Sequence, residues 1–180
     1  MERQSAELPV PAGGAPVVSG RLPNTARLIH GAEESLKEHT YNPPPDAEYF
    51  QSLLELGYLV ASADGLAPEE RAALAKLVEH ATGSVVEHAA LQRHFDDLDA
   101  CSEALGRRER LGRVAANFED LSAREEAISF AALIAIADGK LARPEAEVLI
   151  ELGEHFSFSQ MDVKAVLGQV VAGIKLALEE

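Results

Sequence analysis

The stretch "ASADGLAPEE", Ala61–Glu70, returns 74 positions later as "AIADGKLARPEAE", Ala135–Glu147. Each time a run of small apolar residues closes on Asp-Gly, crosses a short turn and opens on Pro and Glu. Glycine takes the positive φ that ends a helix. Proline is tolerated in a first helical turn, where its missing N–H is not needed, and Glu there is favoured by the macrodipole. A helix–turn–helix unit is therefore written twice. Aligning Leu59–His80 with Leu133–His155, and skipping Lys140, gives 22 columns of which twelve are identical. Asp64 with Asp138, Gly65 with Gly139, Glu70 with Glu145 and His80 with His155 stand above the Ala and Leu background. The duplication predicts two hairpins packed about a pseudo-twofold axis, with their acidic corners as neighbours.

Working outward, the chain from Asp46 onward keeps apolar residues at three and four spacing, with no strict alternation of strand type. Helices are expected near 47–63, 68–82, 85–100, 101–117, 122–137, 143–155 and 159–177. Ser122 with Glu125, and Ser159 with Asp162, read as N-cap pairs. The fold class is all-α, a compact bundle of about seven helices. Residues 1–45 differ: they are rich in Pro, Gly and Ala and end in "YNPPPD", Tyr41–Asp46. They read as a flexible arm holding one short helix over 24–38, capped by Asn24 or Thr25. The domain proper is expected at 46–180.

At 180 residues the chain is one domain's length and needs no staple to fold. Its single cysteine, Cys101, makes no internal disulfide, which fits a reducing compartment. The opening residues have neither a basic start nor an apolar core of leader length, so a cytoplasmic location is expected. With 16 basic against 30 acidic residues the net charge is −14. Such a chain repels phosphate backbones, so no nucleic-acid partner is expected, while cations and basic partners suit it.

An apolar helix ending in "ADG", a short turn and a helix opening on Pro and Glu, present twice, resembles the tellurite-resistance TerB family. That group takes in the N-terminal-type domain of the membrane-anchored J-domain co-chaperone DjlA. The resemblance covers about 46–180. It implies a bundle of seven or so helices and a cytoplasmic role in stress-linked complexes, often near the inner face of the membrane. It also implies divalent-metal binding through acidic residues.

The same residues suggest how a metal would be held. Hard cations want several oxygen ligands, and carboxylates supply them. Asp64 with Glu69 or Glu70 can converge across the first turn, and Asp138 with Glu145 and Glu147 across the second. The ligand set expected is Asp64, Glu70, Asp138 and Glu145, for Ca or Mg. The plain alternative is that Asp-Gly and a first-turn Glu are ordinary helix punctuation. An EF-hand is excluded, because with Gly139 as the sixth loop position Ile134 and Ile136 fall where ligands are required.

Nothing points to catalysis. His80 and His155 end their helices, and His88 and His94 do not share a face. Cys101 sits among carboxylates, the reverse of the setting that activates a thiol. No nucleophile elbow or phosphate loop is present. The cluster Arg107, Arg108, Arg110 and Arg113 reads as a solvated face or as a contact for acidic segments or anionic lipid. The expected function is a non-enzymatic interaction module with a protein partner. A peripheral membrane complex and a homo-oligomer fit it. A scaffold subunit is the alternative, and a metal-dependent enzyme the more distant one.

Overall fold

The computed structural model describes residues 24–36, 45–66, 68–83, 85–137 and 139–178. Among them are eight helices and no strand. They are α1 (Thr25–Leu36), α2 (Pro45–Ala61), α3 (Pro68–Ala81), α4 (His88–Leu105), α5 (Arg107–Ala115), α6 (Leu121–Ala135), α7 (Arg143–His155) and α8 (Gln160–Leu178). The fold is all-α, with α2 to α8 as the seven helices expected after Asp46. The rest of the expected arm, residues 1–23 and 37–44, lies outside the described residues. No described helix is long and apolar enough to cross a membrane.

The two matched helices, α2 and α6, form the centre and pack on each other. Both read as nearly continuous apolar runs, as a helix covered on most sides must. Leu53, Leu56, Leu59 and Val60 of α2 and Ala127, Ile128, Ala131 and Ala132 of α6 are no more than 1% exposed. Their close approach depends on Gly57. A Cβ placed there would lie 3.1 Å from Ile134 Cγ1 and 3.2 Å from Phe130 Cε1. The duplicate of Gly57 is Ala131, also small and fully buried.

Around this pair the remaining helices close the core. A chain of edge-on rings, Tyr49–Phe118–Phe156–Phe158, runs through it with centroids 5.3, 5.9 and 6.0 Å apart. Tyr58 and Phe95 stack at 4.9 Å and tie α2 to α4. Helix α1 lies on α2, burying Leu28 and Ala32. Gly31 permits this: a Cβ there would meet the Asp46 carbonyl oxygen at 2.5 Å and Phe50 Cβ at 2.8 Å. The buried Glu126 carboxylate of α6 holds the same corner, accepting the Asn24 N–H at 2.7 Å and the Tyr49 hydroxyl at 3.0 Å. A buried carboxylate needs such donors to offset its lost hydration.

Two boundaries differ from the sequence expectation. The break expected between residues 100 and 101 falls at Gly106, because that residue can take φ 84°. Helix α6 is capped by Asp120 rather than Ser122, the Asp120 carboxylate accepting the Ala123 N–H at 2.7 Å. Ser122 then sits inside the first turn. The cap of α8 is as expected: Ser159 Oγ accepts the Asp162 N–H at 3.2 Å, and Asp162 accepts the Ser159 N–H at 2.8 Å. The Ser159 hydroxyl, donating to the Asp162 carboxylate at 2.6 Å, and then the Ser159 N–H hold that carboxyl below the usual range.

Candidate binding groove at the paired turns

The duplication survives in the backbone hydrogen bonds. At the first turn Ser62 N–H donates to Tyr58 O, Ala63 to Val60 O and Gly65 to Ser62 O. At the second, Ile136 donates to Ala132 O, Ala137 to Ile134 O and Gly139 to Ile136 O, each at the matching position. Gly65 and Gly139 adopt φ of 94° and 86°, where a side chain would be strained.

Because α2 and α6 pack together, their ends come together too. Both turns line one groove of about 270 Å³. Its walls are Ala61 from the end of α2, Leu66, Ala73 and Leu74 from the first hairpin, Ile134, Ala135 and Ala137 from the end of α6, and Ala142 before α7. Two carboxylates stand among these apolar walls, Asp64 and Glu145. Asp64 is exposed. Glu145 is half-buried, and its Oε2 accepts the Ala142 N–H at 2.7 Å, so it also caps α7.

Of the four residues expected to hold a metal, Asp64 and Glu145 therefore share this groove. Glu70 lies on the first turn of α3, but its side chain is outside the described atoms, as is Asp138 altogether. Among the described residues no group of three or more His, Cys, Asp or Glu is placed to hold a metal ion.

The arginine cluster resolves into separate tasks. Arg107 reaches from the start of α5 to the end of α2, donating to Ala63 O at 2.9 Å and Ser62 O at 2.8 Å. These carbonyls lie just past the end of α2, Ser62 O also accepting the Gly65 N–H, and a cation there complements the helix dipole. Arg110 pairs with Glu55 on α2, its Nε 2.7 Å from Oε1. Arg108 pairs with Glu151 at 3.1 Å and Arg113 with Glu109 at 2.6 Å. No sequence signal locates the grip of Arg107, which depends on where α5 lies.

Behind the first turn, Tyr58 donates to Asp99 while Arg71 pairs with Asp96 at 2.8 Å and Asp99 at 3.5 Å. Burial, followed by the bond to Asp99, pushes the Tyr58 hydroxyl well above its usual range. A second hollow of about 300 Å³ lies here, lined by Tyr58, Arg71, Asp99 and Arg107 and sharing Leu66 with the groove. Three of the described histidines make local contacts. His80 bonds the Lys76 carbonyl at 2.7 Å, His88 meets Glu79 at 3.0 Å, and the His155 ring lies over Gly112. His94 is the exception: its buried Nε2 has no hydrogen-bond partner, and burial pushes its pKa down.

Compared with known families, the chain matches the model described as tellurite resistance protein TerB over residues 51–167. No curated protein and no solved structure gives a significant match.

Proposed function

The chain belongs to the tellurite resistance protein TerB family, and on that premise we propose that it acts as a non-enzymatic docking module whose contact site is the groove between the two Asp-Gly turns. One observation carries the reading: two duplicated helix ends and two carboxylates line one apolar hollow. Binding sites are typically concave and mostly apolar, with few polar groups to orient what binds. The setting in this reading is a cytoplasmic stress-response complex, at or near the membrane, with a protein as partner. Filling the groove tests it. In Ala73→Trp, proteins that co-purify with the unaltered chain should be lost while the thermal midpoint stays within a few degrees. Unchanged recovery would remove the groove from the function.

A divalent cation is the second reading, favoured by Asp64 and Glu145 lining the same hollow. Together with Glu70 and Asp138, these carboxylates would hold Ca or Mg, which would supply a fixed positive charge for a partner's acidic groups. Saturating Ca or Mg should then raise the melting midpoint by the equivalent of about 2–3 kcal/mol at a hundredfold excess over Kd. Asp64→Asn with Asp138→Asn should abolish the rise. No rise in the unaltered chain leaves a plain docking or scaffold role, and turnover of a phosphoester or peptide would bring back the enzyme.

A further inference from the structure

We infer that the groove between the turns receives a single arginine side chain from a partner protein, its stem against the alanine walls and its guanidinium facing Asp64 and Glu145. The inference rests on the docking reading above and names the chemistry of what docks. Size is the first argument. About 270 Å³ is below the usual range for small-molecule pockets, about 300–1,000 Å³, and suits one long side chain. The walls are the second. Ala61, Ala73, Ala135, Ala137 and Ala142 present methyl groups with no rotamers to reorder, a surface that a three-carbon stem can cover while its charged head stays at the rim.

Charge is the third argument, and it has two independent sources. Among the described residues, Asp64 and Glu145 are the two charged groups lining the hollow, both negative, on a chain of net charge −14. The end of α6 also reaches the hollow, and a helix C-terminus carries partial negative charge; that of α2 is already met by Arg107. Glu145 offsets the opposite partial charge at the start of α7. The molecule already contains an example of the recognition: Arg107 seats its guanidinium on the carbonyl end of α2, at the first of the two turns. Arginine is favoured over lysine because its planar fork can engage a carboxylate with two parallel hydrogen bonds.

The test titrates four capped pentapeptides into the full, isotope-labelled chain with EDTA present. The first is acetyl-Leu-Ala-Arg-Ala-Leu-amide, and its relatives carry lysine, citrulline or norleucine at the centre. The arginine peptide should shift the amides of Ala61, Leu66, Ala73 and Ala142. Citrulline and norleucine should bind at least about tenfold more weakly, the loss of one charge-assisted contact. Asp64→Asn with Glu145→Gln, which retains an acceptor for the α7 cap, should reduce arginine to the citrulline level while the melting midpoint stays within a few degrees. Equal binding of arginine and citrulline overturns the proposal, as does no arginine binding by about 10 mM or shifts centred on Asp96 and Asp97 of α4. Ala73→Trp separates the two failures. If it blocks all four peptides but charge makes no difference, the groove stands and the arginine does not. If it blocks none, the docking site itself is wrong.

Discussion

His94 carries an unmet cost of burial that the other described histidines avoid through a bonded or packed ring. Its Nε2 is buried without a partner; the carboxylates of Glu55 on α2 and Asp97 on its own helix act on it, and Arg93 and Asp97 line the same hollow. Desolvation opposes the charged form more than the nearby carboxylates favour it, so the folded pKa lies below the ordinary 6.5. The unfolded chain therefore takes up this proton first as pH falls. The stability associated with neutral His94 is fully present above 6.5 and is lost as pH falls toward the folded value. His94→Gln, which cannot titrate, should flatten the dependence of the thermal midpoint on pH between about 7 and 5. An unchanged slope would place the acid sensitivity elsewhere. Nothing in the spacing of His88 and His94 foretold this difference, because it depends on which elements cover each ring. Arg107 teaches the same lesson. Its neighbours in sequence suggested a charged face, whereas its partners are carbonyls in another helix.

Helices were more legible than side-chain roles, for a physical reason. Spacing of apolar residues and the chemistry of Gly, Pro and caps act locally, so seven elements could be read directly, and Gly65 and Gly139 do take positive φ. The boundary between α4 and α5 was displaced because several residues could end a helix there and only Gly106 takes the required conformation at no cost. Docking of α1 was less visible, since one glycine and one buried carboxylate decide it. In Gly31→Ala the new methyl would collide with the backbone of Asp46, which cannot swing aside. The expected result is a loss of about 1–3 kcal/mol, concentrated in α1. Amide exchange should accelerate in α1 while α6 and α7 stay protected. Uniform acceleration across the chain would show that α1 does not act as a separate element.

For the molecule as a whole, the duplication is the feature from which most else follows. Twelve matching columns predicted a repeated hairpin, and the matched hydrogen bonds at both turns show the repeat in the backbone. The neighbouring of the turns follows from α2 packing on α6, which brings Asp64 and Glu145 to one groove. Gly57 controls that packing. Gly57→Val would push against Ile134 and Phe130, and should cost about 1–3 kcal/mol in global stability. Amide resonances of both Gly65 and Gly139 should shift together, because separating the helices moves both ends. A shift at one turn alone would mean that the turns are not mechanically joined.

The grip of Arg107 on Ala63 and Ser62 also spans 44 and 45 positions of chain. A chemical change confined to that guanidinium, such as deimination to citrulline, would erase the charge that steadies one hairpin's bend and leave its twin untouched. Two corners descended from one ancestral pattern would then answer differently to a single enzymatic mark.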